Sequence, residues 1–256
     1  MSLTANDINV TFGTRTVLQG TGFAALKIGQ LTALIGPNAA GKSTLFRTIA
    51  GLIKSNTGQI ELDGQDLSKL TIQQRLKRIC FMPQSFTANA ALSVFDVVLM
   101  AQKQLRGWRV SQADMTAVAS ALDAAGIGHL ADANIGDLSG GQAQMVSVCQ
   151  ALIRHSDVYL FDEPTSALDL RHQLDVMGRI KATMRERNTI GIVAMHDLNL
   201  AARYADHLLL IGSGRILAQG RPETVLSDPL IANTYDVVVQ TGTGPRKELN
   251  VHAYAD

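Results

Sequence analysis

The stretch Gly36-Pro37-Asn38-Ala39-Ala40-Gly41-Lys42-Ser43 constrains this chain more than any other. It fits the spacing G-x-x-x-x-G-K-[ST] and lies between an apolar run at 31–35 and an amphipathic helical run at 44–52. That order requires a buried strand that stops abruptly, a loop in which glycines let the backbone curl, and a helix whose N-terminus adds positive potential. A loop of this kind wraps a phosphate with backbone N–H groups. Lys42 supplies a mobile charge and Ser43 a hydroxyl able to ligate magnesium, so Gly36, Pro37, Asn38, Ala39, Ala40, Gly41, Lys42, Ser43 and Thr44 are read as nucleotide-binding. The alternative is a glycine-rich turn that merely caps a helix, and it leaves the Lys, the hydroxyl and the strand unexplained.

A second apolar run, 158–162, ends in Asp162-Glu163. An open parallel sheet presents its ligands at such strand ends. Asp162 is placed to hold magnesium. Adjacent strand residues point to opposite faces, so Glu163 cannot share that role if the strand stays regular, and it can instead polarise an attacking water. A third element, Leu138-Ser139-Gly140-Gly141-Gln142, precedes a helical run at 143–153. Ser139 suits an N-cap and the glycines leave N–H groups open, which makes a further anion cradle without a lysine-bearing loop of its own.

Apolar strand-like runs alternate with amphipathic helical stretches, the pattern of an α/β fold with a mainly parallel sheet. Strands are expected at 8–12, 23–28, 31–35, 58–62, 158–162 and 190–195, and hairpins at 208–211 with 215–218 and at 237–240 with 248–251. Residues 92–127 carry Ala, Val, Met, Gln and Leu at helical spacing and no strand signal, which predicts a helical insertion. The chain of 256 residues, 46% hydrophobic, suffices for one large core or for a core domain with a smaller companion. Lys and Arg number 23 against 22 Asp and Glu, too even a balance for a nucleic-acid partner. The longest apolar runs fall far short of the ~20 residues of a membrane-spanning helix, and Met1 to Asp7 carry no signal-peptide pattern, so a cytoplasmic protein that meets membrane through a partner is expected. Cys80 and Cys149 stand in apolar surroundings and read as buried reduced thiols.

The phosphate loop, the Leu138–Gln142 signature and the acid-tipped strand occur in the order of the ATP-binding cassette family, which the chain resembles from about residue 8 to 226. The resemblance implies a P-loop NTPase core with an N-terminal antiparallel β subdomain and a helical insertion. The chain is then one domain with a nucleotide-binding core at 1–84 and 155–235, a helical subdomain at about 85–154 and, beyond the resemblance, the C-terminal hairpin and tail at 236–256 that its strand pattern predicts. It also implies a head-to-tail dimer in which Ser139, Gly140, Gly141 and Gln142 of one copy close over Mg-ATP held by the other. Phe12 is assigned to stack on adenine, Gln84 to sense magnesium and the membrane partner, Asp169 to the loop crossing the dimer, and His196 to a γ-phosphate switch. Glu163, His196 and Gln84 form the implied catalytic set, and Ser43, Gln84 and Asp162 the metal set.

Two departures stand out. Ala39 occupies a position where the family usually has Gly, which matters if the loop demands positive φ, and Ala143-Gln144 follow the signature where an Arg is common. The segments Ser166-Ala167-Leu168-Asp169-Leu170-Arg171-His172-Gln173 and Met195-His196-Asp197-Leu198-Asn199-Leu200-Ala201 most resemble importer ATPases for iron-siderophore, haem and vitamin B12 uptake. Those pair two ATPase copies with a membrane permease on the cytoplasmic face of the inner membrane, fed indirectly by a substrate-binding protein. Apolar residues Leu92, Val94, Phe95, Val98, Leu99 and Met100 would supply a docking groove for the permease or serve as ordinary core. The rival reading is a cassette ATPase acting in DNA repair or translation. Such proteins usually carry fused cassettes, coiled coils or basic insertions, none of which is present.

Overall fold

The computed structural model describes residues 1–84, 92–103, 107, 109–245 and 248–255. The expected helical stretch at 92–127 therefore contains positions 104–106 and 108 that lie outside the described residues. In chain order the strands are β1 (Ser2–Phe12), β2 (Arg15–Lys27), β3 (Leu31–Ile35), β4 (Thr57–Leu62), β5 (Gln65–Asp66) and β6 (Ile79–Met82), then β7 (Val158–Asp162), β8 (Ile190–Met195), β9 (His207–Gly212), β10 (Arg215–Gly220), β11 (Val238–Thr243) and β12 (Leu249–Tyr254). The helices are α1 (Lys42–Ala50), α2 (Ile72–Arg78), α3 (Val94–Lys103), α4 (Gln112–Ala124), α5 (Gly140–Ile153), α6 (Leu170–Glu186), α7 (Leu198–Tyr204), α8 (Pro222–Leu226) and α9 (Pro229–Tyr235).

A six-stranded sheet in the order β10-β9-β3-β8-β7-β6 forms the centre, parallel except for the β9–β10 hairpin. Every residue of β3, β7 and β8 is buried, which explains why these strands read as unbroken apolar runs without alternation. The two faces separate by strand parity. Tyr159 and Phe161 join Val176, Met177 and Ile180 of α6 on one side, while Val158 and Leu160 join Leu45, Phe46 and Ile49 of α1 on the other. The second side is closed by an antiparallel sheet in the order β2-β1-β4-β5, through Leu3, Ile8, Leu18 and Leu62.

A third cluster lies among the helices, where Val94, Val97 and Val98 of α3 and Val118 and Leu122 of α4 meet Val146, Cys149 and Ile153 of α5. Helix α5 faces both ways, since its Val148, Ala151 and Leu152 pack into the cluster on the α6 side of the central sheet. Of the residues considered for a docking groove, Val94 and Val98 are core and Leu92, Phe95 and Leu99 are packed against it. Met100 is the one that stays largely exposed. Both cysteines are free and buried, and burial pushes the Cys80 thiol up to about 11 and the Cys149 thiol to about 12. Among the described residues no helix is long and apolar enough to cross a membrane.

Candidate active site

Strand register gathers the site. Ile35 pairs with Met195, Asp162 with Ala194 and Met82 with Phe161, so the phosphate loop, His196, Glu163 and Gln84 all emerge at the C-terminal edge of the parallel strands. A cleft of about 570 Å3 opens there, lined by residues 38–44 together with Arg15, Val17, Gln84, Glu163 and His196. Arg15 and Val17 had no signal in the sequence. They belong to β2 of the other sheet and reach the cleft only through packing.

The loop's shape depends on its two end glycines. A Cβ on Gly36 would stand 2.2 Å from the Ile211 carbonyl oxygen, and one on Gly41, where φ is +108°, 2.8 Å from Leu18 Cδ2. Gly41 caps α1 without a side-chain hydrogen bond and the first turn holds no acid, which leaves the helix N-terminus open and positive. Ala39 is left-handed, with φ +61°, so the backbone does adopt there the conformation that favours glycine. Lys42 is buried and folds back on the loop, its Nζ donating to the Gly36 carbonyl at 2.6 Å and the Pro37 carbonyl at 3.0 Å. Burial lowers its pKa, while Glu163 and Asp162 pull it back up.

Asp162 is 2% exposed and its Oδ1 has no hydrogen-bond partner. Burial raises its pKa, against which the Ser43 hydroxyl, Arg47 and Lys42 favour the charged form. An orphaned carboxylate oxygen beside a hydroxyl suits a hard cation that keeps most of its shell as water and phosphate oxygen, so Asp162 and Ser43 fit magnesium.

Glu163 is not a continuation of the strand. Its φ is +53°, and β7 ends one residue earlier, so the two carboxylates part because the backbone turns rather than because a regular strand alternates. The Glu163 carboxylate is held from both sides: Gln84 Nε2 donates to Oε2 at 2.7 Å, and His196 Nε2 pairs with Oε1. The Glu163 main chain is also tied down, its N–H to the Ala194 carbonyl at 3.1 Å and its carbonyl to Gln144 Nε2 at 3.0 Å. Gln144 drew attention in the sequence only for lacking a common charge, yet it donates to the main-chain carbonyl of Glu163.

The signature lies elsewhere. Ser139 caps α5 in a reciprocal box, its Oγ accepting the Gln142 N–H at 3.3 Å while Gln142 Oε1 accepts the Ser139 N–H at 2.9 Å. Ser139, Gly141, Gln142 and Asp169 line a separate cavity of about 1190 Å3, which Lys42 does not reach. Gly140 begins α5 beside them. Asp169 caps α6 by accepting the His172 N–H at 2.9 Å, and that bond holds its carboxyl below the usual range. Phe12 ends β1 and is half exposed.

Residues 24–166 match the family described as ABC transporter. The chain is 36% identical over 211 residues to the ferric enterobactin transport ATP-binding protein FepC of Escherichia coli, covering 81% of this chain and 77% of that one. It is 37% identical to the hemin import ATP-binding protein HmuV of Hahella chejuensis, covering 87% and 88%. Among solved structures it resembles a chain from an inward-facing ABC transporter assigned to the metal-chelate type, with TM-score 0.81 and 26% identity over 98% of this chain and 96% of that one. With its phosphate loop, its acid-tipped strand and these relatives, the chain belongs to the ABC transporter family, as an ATPase subunit.

Proposed function

We propose that this chain hydrolyses Mg-ATP at the interface of a head-to-tail dimer and drives uptake of an iron chelate or haem through a separate membrane permease fed by a substrate-binding protein. The observation that carries the catalytic part is the Glu163 carboxylate, turned out of β7 and held between Gln84 and His196 on the wall of the phosphate-loop cleft. The loop N–H groups and Lys42 bind the phosphates, and Lys42 exchanges its two carbonyl partners for phosphate oxygens. Magnesium held by Ser43 and Asp162 would neutralise phosphate charge. Glu163 accepts a proton from the attacking water, while His196 and Gln84 fix which carboxylate oxygen faces it. Phe12 stacks on the base.

The signature completes the site from a second copy. Ser139, Gly141 and Gln142 line a cavity away from Lys42 of their own chain, so a phosphate cradle with no phosphate loop beside it is matched by a phosphate loop with no signature beside it. The nucleotide-binding core, the helical subdomain and the C-terminal hairpin then have distinct tasks, and the complex sits on the cytoplasmic face of the membrane through the permease. The cargo assignment rests on the relatives, whose names speak of ferric enterobactin and hemin.

The test of chemistry is Glu163→Gln, which should keep ATP binding and lose turnover by ~100-fold or more, the range for removal of a general base. Turnover near the parent rate refutes the assignment. The test of cargo is uptake of labelled ferric chelates, haem and cobalamin in cells lacking this chain. Loss of one of the first two supports the reading, and loss of cobalamin alone or of none overturns it.

A further inference from the structure

We infer that Gln144 is a positioning residue for Glu163, and that through it the signature helix α5 sets where the water-activating carboxylate points. The inference rests on the reading of Glu163 as the base. Gln144 is 6% exposed, a buried amide on a helix, and a polar group in that position needs a partner. Its partner is the Glu163 carbonyl at 3.0 Å, nineteen residues along the chain.

Glu163 needs such a partner more than most residues. At φ +53° it sits in a backbone region sparsely populated by residues with a side chain, which persists only when surrounding bonds over-determine it. Those bonds come from three places. Ala194 of β8 accepts the Glu163 N–H at 3.1 Å, and Ser166 gives its N–H at 3.3 Å and its Oγ at 3.2 Å to the Glu163 carbonyl. Ser166 is local, three residues on, and Ala194 belongs to the neighbouring strand. Among the described residues, Gln144 alone ties Glu163 to α5, the helix that Ser139 caps.

Helix α5 is a stiff connection. Its Val146, Cys149 and Ile153 are locked into the helical core and its Val148, Ala151 and Leu152 against the sheet. A change in the pose of its Ser139 end therefore arrives at the Glu163 carbonyl through the Gln144 amide. Rotation of that peptide turns the side chain that His196 and Gln84 hold. Contact of the signature with phosphate and alignment of the carboxylate in the same chain are thereby linked.

Gln144→Met keeps length and volume and removes the N–H donor. Steady-state ATP hydrolysis should then show kcat lowered about tenfold, the size of one lost hydrogen bond, with KM for ATP within about twofold of the parent. Gln144→Glu, which puts lone pairs where the N–H stood, should lose at least as much and gives the same readout should the Met variant not fold. A kcat equal to the parent's overturns the inference, as does a loss shared between kcat and KM, which marks a general structural role. Glu163→Gln measured alongside separates the two readings. If it is inactive while Gln144→Met turns over normally, the positioning role alone falls. If Glu163→Gln itself turns over normally, the base assignment falls and this inference with it.

Discussion

Replacing Ala39 by Gly asks whether the phosphate loop stores backbone strain. Ala39 is held at φ +61° and its side chain is exposed, so removing the methyl group sacrifices almost no buried surface. A left-handed alanine is disfavoured by roughly 1–2 kcal/mol. Glycine offsets part of that gain, because a freer unfolded chain costs about 0.4–1 kcal/mol. The balance favours Ala39→Gly by about 0.8 kcal/mol, taking the middle of each range. For a domain of this size, at ~2–4 °C per kcal/mol, the melting midpoint should rise by about 2–3 °C. Thermal unfolding without nucleotide measures it. Ala39→Val supplies the opposite sign, since a β-branched side chain fits the left-handed region worse than alanine, and its midpoint should fall. A midpoint for Ala39→Gly that is unchanged or lower refutes the strain argument, whatever the loop does with nucleotide. Turnover should persist, because Lys42, Ser43, Asp162 and Glu163 are untouched.

Three further outcomes are expected. Lys42→Ala and Ser139→Arg chains, each unable to close on ATP alone, should regain nucleotide-dependent dimerisation when mixed, because one site of the mixed dimer joins an intact loop to an intact signature; light scattering that shows none rejects the head-to-tail arrangement. Asp162→Asn should melt higher than the parent without ligand and lose the stabilisation that magnesium with ATP gives the parent, since burial disfavours the charged carboxyl. The sign follows from the raised native pKa: the cost of the charge is full above that value and fades as pH falls towards 3.8, so the advantage of the Asn variant should shrink on acidification, and a gap that widens contradicts it. Asn199 Nδ2 donates to the Val251 carbonyl at 3.1 Å and its Oδ1 accepts the Val251 N–H at 2.8 Å. Asn199→Leu removes both bonds, about 2 kcal/mol together, and should speed hydrogen exchange at the Val251 amide roughly 30-fold, while unchanged protection shows that the hairpin does not depend on this clasp.

The local geometry of the site was legible wherever it is written in contiguous residues. Spacing pointed to a loop at Gly36 to Ser43 between a strand and a helix, and it does run from the end of β3 into the first turn of α1. The runs of β3, β7 and β8 were legible for a related reason, since a strand covered on both faces is apolar at every position. The Ser139 cap was equally local. Gln84, Asp169 and His196 were named by family resemblance; Asp169 makes a local cap on α6, whereas nothing in the neighbourhoods of Gln84 and His196 says what they touch.

Tertiary structure decided the rest. Gln84 and Glu163 are 79 residues apart and His196 lies 33 beyond Glu163, yet they meet because β6, β7 and β8 pair in parallel and end at one edge. Arg15 and Val17 enter the cleft from a different sheet, and Val94, Val97 and Val98 of α3 turned inward to a core shared with α4 and α5. The left-handed turns at Ala39 and Glu163 and the bond from Gln144 have no local signature either. A backbone conformation that the residue itself disfavours, and a buried amide that needs a distant carbonyl, exist only once the strand order has set which segments are neighbours. Short-range sterics and spacing act within a few residues, whereas parallel pairing brings together groups whose separation along the chain carries no information about their contact.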